Sequence, residues 1–203
     1  MRKNRKMRNR HIMLILSVIF LTIFNQSWRE IPKYYKNMAF VSSFNIIYYF
    51  LCKRHLVWEF IPAGINWMLI RVVHTLFVSP LLVLVFLSKM PTTLSKQFVH
   101  FIKWILICTG IEYLIHKKRL ILYAHGWNIL WSGILFGKMF LYSHLFTNRP
   151  LLTLCLSMCS TLFFVLKFHA PLKRKHFSRF FSPFVDLYYH TFLEDLFARR
   201  KTL

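Results

Sequence analysis

The chain predicts an all-α fold, a polytopic transmembrane helical bundle. Three observations lead there: long apolar runs, basic residues gathered between those runs, and too few charges to clothe a water-soluble surface. Hydrophobic residues make up 56% of the 203 and charged residues 17%. Phe occurs 22 times and Gly only 5 times. A soluble domain of this size could not cover so much apolar surface with so few charges, whereas surrounding hydrocarbon removes the difficulty. The expected architecture is six spans with both termini in the cytoplasm, then a C-terminal amphipathic helix.

The spans are taken in order. Residues 1–11 carry Arg2, Lys3, Arg5, Lys6, Arg8 and Arg10, and the apolar run 12–24 follows. That pattern also describes a signal peptide. Asn25, Gln26, Ser27 and Trp28 offer no small-residue cleavage site, so an uncleaved first span is expected. The remaining spans are 38–52, 65–87, 98–115, 120–142 and 150–166. Their lengths suit helices, none alternates as a strand would, and backbone groups in hydrocarbon must pair within their own segment. Pro150 suits a first helical position. The HKKR stretch at 116–119 allows a tight antiparallel hairpin. Trp28, Trp58, Trp67 and Trp104 fall near predicted interfaces, where an indole keeps its ring apolar and its N–H wet.

Basic residues set the orientation. With six spans and an inside start, the inside segments hold 19 of the 28 Lys and Arg residues and the outside segments 6. Arg71, Lys103 and Lys138 lie within spans. Removing the first span changes the split to 12 against 13, which is no bias. The formal charge of +22 is thus read as attraction to a lipid bilayer with anionic headgroups. A basic stripe on a polar domain would have suggested nucleic acid. No such stripe is present, and no nucleic-acid partner is expected.

Ionisable groups inside a span need a partner or water. On this topology Arg71 and His74 of the third helix, Glu112 of the fourth, and His125 and Asn128 of the fifth share the cytoplasmic half. Glu112 is expected to pair with Arg71 or His125. Two readings follow: a cytoplasm-facing polar pocket for a headgroup, an ion or a proton, or a structural clasp. The clasp is preferred. Lys103 and Lys138 are placed near the outer ends of their helices, with side chains snorkelling to phosphates. His125, Asn128, Ser132 and Met139 form one stripe of the fifth helix. Gly133 and Gly137 form a GxxxG on another face, where two backbones can approach closely.

Residues 169–203 form a cytoplasmic amphipathic tail. Pro171 ends the preceding helix, KRK follows at 173–175, and Ser182 and Pro183 read as an N-cap and first helical position. Asp186, His190 and Glu194 repeat every four residues on one face, a spacing that gives modest ion pairs. The cysteines Cys52, Cys108, Cys155 and Cys159 all lie in apolar runs, without a CxxC, and read as small packing residues. HExxH, Ser/His/Asp and phosphate-loop patterns are absent, so no catalytic residue, cofactor or metal is predicted.

The stretches PLLVLVFLSKMP at 80–91, HGWNILWSG at 125–133, LFTNRPLLT at 145–153 and DLYYHTFLEDLF at 186–197 carry a resemblance. By them the chain resembles an uncharacterised family of small polytopic membrane proteins from spore-forming Gram-positive bacteria. The resemblance implies the bacterial cytoplasmic membrane and carries no functional residues with it. The function expected is that of an accessory or interaction protein, with a membrane-protein partner or self-association. A small transporter or ion- or proton-conducting protein is the alternative, and a membrane-embedded lipid-modifying enzyme the third.

Overall fold

The computed structural model describes residues 2–51, 56–61 and 65–168. The chain divides between Ala170 and Pro171, and all described residues belong to the first part. Helix α1 (Arg2–Phe24) leads through a 3₁₀ turn (Ser27–Glu30) into α2 (Ile31–Leu51). Strand β1 (Trp58–Phe60) precedes one continuous helical rod made of α3 (Trp67–Val73), a π segment (His74–Val78) and α4 (Ser79–Ser88). Then come α5 (Leu94–Lys117), β2 (Ile121–Tyr123), α6 (Ile129–Asn148) and α7 (Pro150–Lys167). The fold is mostly helical, as expected.

Among the described residues, five rods are long and apolar enough to cross a membrane: Arg5–Phe24, Met68–Ser88, Leu94–Lys117, Ile129–Asn148 and Pro150–Lys167. Helix α2 has 21 residues, about 31 Å, but Lys33, Lys36 and Asn37 dilute its first turns. Large apolar side chains such as Phe20, Phe24, Phe98, Leu106, Leu130 and Leu151 stand exposed around the bundle. In water they would form patches far beyond those that monomeric proteins carry.

Alternate connections gather at the same end. At one end, here the near end, His11 Nε2 lies 2.9 Å from Ile61 O, and the Arg10 guanidinium reaches Lys118 O. At the far end the Ser27 and Ser88 hydroxyls share a hydrogen bond of 2.7 Å. The near end therefore holds the first half of α1, the loop after α2 and the loop after α5. The exposed cations Arg5, Lys6, Arg8, Lys117, Lys118 and Arg119 surround it.

The core is centred on α4, where Val83, Leu84 and Phe86 are fully buried. Phe86 packs on Phe140 of α6 at 4.5 Å between ring centroids and on Phe101 of α5 at 5.0 Å. A helix that is apolar all round belongs inside. Trp104 packs edge-on against Phe86 and Phe140. It sits ten residues into α5 and belongs to the core, not to an interface as predicted. Asn37 of α2 is buried and donates to Ser143 O at 2.7 Å and to Thr147 Oγ1 at 2.9 Å, tying α2 to α6. The π segment precedes Pro80, which has no N–H and crowds the carbonyl four residues back. Widening of the ladder accommodates this, with the Ser79 N–H bonding His74 O. The Ser42 hydroxyl of α2 adds a bond to Thr75 O, a usual way for a neighbour to satisfy a disturbed rod.

The expectation of helix throughout 120–142 is corrected. Helix α5 ends in a Schellman motif, with Arg119 left-handed at φ 56°, Leu120 N bonding Ile115 O, and Arg119 N bonding His116 O. Strand β2 follows and pairs antiparallel with β1, in the register Trp58↔Tyr123, Glu59↔Leu122 and Phe60↔Ile121. The chain then turns on His125 (φ 54°) and Gly126 (φ 81°), closed by Trp127 N to Ala124 O at 3.0 Å. Two consecutive left-handed residues are the mark of a type I′ turn. The Asn128 side chain caps α6 by accepting from Leu130 N and Trp131 N. The all-α expectation thus gains a two-stranded ladder, and the HKKR hairpin becomes a longer, structured connection.

The GxxxG of α6 faces α5. A Cβ on Gly137 would lie 3.3 Å from Ile105 Cδ1, and one on Gly133 would lie 3.4 Å from Thr109 Oγ1. Gly137→Leu is therefore expected to destabilise the detergent-solubilised protein by about 1–3 kcal/mol, read from thermal melting. Gly110→Leu, where an added Cβ meets nothing within 4 Å, is expected to leave the melting point unchanged or raise it.

Candidate functional site

Glu112 lies on α5, about a turn and a half from its near end, and is 5% exposed. Its Oε1 accepts from Trp58 Nε1 of β1 at 2.9 Å and from the Tyr123 hydroxyl of β2 at 2.7 Å. The Ser132 hydroxyl of α6 makes the third bond, and Trp127 Nε1 donates to that same hydroxyl at 2.9 Å. One carboxylate thus ties together two strands, two helices and the turn between them. Burial, and then the bond to Glu112, hold the Tyr123 phenol above its ordinary range, so it stays a donor well past neutral pH. His116 stacks on the Tyr123 ring at 4.0 Å and fixes its plane.

The partner expected for Glu112 is therefore corrected. Arg71 sits in the first turns of the rod, not deep within it, and pairs with Glu59 of β1. Its guanidinium also lies over the Tyr49 ring at 5.2 Å. Glu59 lies between the spans expected from sequence, and the β1–β2 ladder brings it within reach of Arg71. His74 stacks on Phe60 at 3.7 Å. His125 occupies the turn and Asn128 the cap, both outside the helix in which they were expected. Arg71, His74, Glu112, His125 and Asn128 do share one end of the bundle, but in separate sets. Asp186, His190 and Glu194 lie outside the described residues. Cys108 is buried, whereas Cys155 and Cys159 point outward from α7 and are not packed between helices.

Beside the clasp lies a chamber of about 290 Å³. It reaches from Glu112 and Trp127 at the near end to Tyr142 on α6 and Ser157 on α7. Its walls are chiefly apolar, with Phe40 and Phe44 of α2 facing Phe136 and Met139 of α6. Starting α6 at Ile129 relocates Lys138. It was expected near the outer end of its helix, but it lies nine residues from the start and ten from the end, about 14 Å from either. It lines the chamber, with its ammonium 5.0 Å from the Phe164 ring centroid and 5.9 Å from that of Tyr142. A local signal for Asn128 as the cap is present in the sequence: Asn directly before the apolar run that opens at Ile129 is a helix-start signal. The Trp58 and Tyr123 bonds carried no local signal.

Two outcomes follow. Glu112→Leu leaves three donors without their acceptor and is expected to cost about 3 kcal/mol or more, while Glu112→Gln costs clearly less. Thermal melting in detergent compares them. Glu59→Arg and Arg71→Glu are each expected to destabilise, and the double exchange to recover at least half of the combined loss.

No protein-family model, no curated protein and no solved structure matches the chain.

Proposed function

We propose that the chain is an integral protein of the bacterial cytoplasmic membrane that works by binding, as an accessory or interaction protein, and not by chemistry on a substrate. Glu112 carries this reading: the carboxylate best placed to act as an acid or base is held by three donors from three elements, as a structural tie. What remains next to it is an apolar receptacle. On this reading α2 is the sixth span, both tails face the cytoplasm, and the near end with its exposed cations meets anionic headgroups. The resemblance to an uncharacterised family of spore-former membrane proteins implies the same placement.

A second reading, a small transporter, draws on the depth of the chamber. It extends past the start of α6 to the middle of that helix, where Lys138 stands. Transporter sites commonly lie near the bilayer midplane.

The placement is tested by single cysteines in a background freed of native ones. Asn9→Cys and Thr202→Cys are expected to react with an impermeant maleimide only from the cytoplasmic side. Ser95→Cys and Arg149→Cys are expected to react from outside, and the protein to need detergent for extraction. Tails on opposite faces, or a protein soluble without detergent, would overturn the proposal.

A further inference from the structure

Among the described residues, several polar groups lining the chamber make no hydrogen bond. His74 Nε2 and Ser157 Oγ are buried without one, in residues 6% and 1% exposed. Asn45 of α2 also lines the chamber, and among the described residues its amide makes no hydrogen bond. Among the described residues, Lys138 lies against the Phe164 and Tyr142 rings and makes no ion pair. Glu112 does not serve it: Ser132, which bonds Glu112, is six residues before Lys138, about 9 Å along α6.

Asn45 and Lys138 stand at one level. Asn37 bonds Ser143 and Thr147, and α2 and α6 run antiparallel. Eight residues along α2 from Asn37 is Asn45, and eight back from the midpoint of that bonded pair is Gly137, next to Lys138. An amide and an ammonium therefore face the same height of an otherwise apolar space. A cation at mid-helix is costly until an anion joins it. The chamber, of about 290 Å³ and walled chiefly by apolar side chains, has room for a short alkyl chain carrying that anion.

We infer that the chamber binds an anionic single-chain amphiphile, with its acid group on Lys138 and Asn45 and its chain against Phe40, Phe44, Phe136 and Met139. The inference rests on the proposed role of the chamber as a binding site. Carboxylate and phosphate heads share the chemistry, and the probes separate them.

The experiment is calorimetric titration of the purified full chain in a neutral detergent with decanoate, decyl phosphate, decanol and decyltrimethylammonium. Decanoate or decyl phosphate is expected to bind more tightly than decanol, and decyltrimethylammonium most weakly. Whichever acid binds better identifies the head. Lys138→Met is expected to weaken the acid about tenfold or more while leaving decanol unchanged. Lys138→Arg is expected to stay within about threefold of the wild type. Should Lys138→Met lose the wild-type melting transition, Asn45→Leu serves instead, with a severalfold loss for the acid alone. Phe44→Trp, which fills the chamber, is expected to weaken every probe. Decanol binding as well as the acids, or acid binding indifferent to both Lys138→Met and Asn45→Leu, would overturn the inference with the chamber still a binding site. Acid binding untouched by Phe44→Trp would also overturn it. Failure of every probe on the wild type would remove the binding chamber itself.

Discussion

The hydrogen bonds converging on Glu112 are the constraint from which the near end of the bundle is built. Two loops far apart in sequence, one after α2 and one after α5, could each wander alone. Trp58 and Tyr123 reach one buried oxygen from opposite strands, and the β1–β2 ladder that joins those strands then satisfies backbone groups that would otherwise be buried unpaired. A buried acceptor with several donors costs little while all are present and much when one side is removed. Such a node fixes one arrangement of the loops and disfavours others. The Glu59–Arg71 pair depends on the same ladder, because only strand β1 carries Glu59 to the rod that bears Arg71.

The loop geometry also sets what the interior can hold. Because the chain spends 118–128 on a Schellman turn, a strand and a type I′ turn, α6 starts late. That delay moves Lys138 from a place where it would snorkel to one where it faces the centre of the bundle. Gly133 and Gly137 bring α6 close against α5 on the opposite side. The space left toward α2 and α7 is the chamber.

Much of the helical class was legible because hydrophobic runs of about twenty residues leave few alternatives. The boundaries of 150–166 and 98–115 were within a few residues, since Pro150 and the HKKR run are local signals. The failures share a cause. The run 120–142 is apolar enough to be a helix, yet Ile121–Tyr123 is equally at home in a strand, and the choice rests on pairing with residues over sixty positions away. The near-end grouping of Arg71, His74, Glu112, His125 and Asn128 follows from topology. Their actual partners, Trp58, Tyr123 and Glu59, depend on tertiary contacts that no spacing reveals. Ser132 was visible as part of a polar stripe, but its bond to Glu112 was not.

The indole N–H of Trp58 reports on the central tie directly. In a ¹⁵N-tryptophan sample of the detergent-solubilised protein, that proton should resonate downfield, exchange with water far more slowly than an exposed indole, and lose both features in Glu112→Leu. A Trp58 indole that exchanges at the rate of an exposed one in the wild-type protein, or that is indifferent to the loss of Glu112, would contradict it.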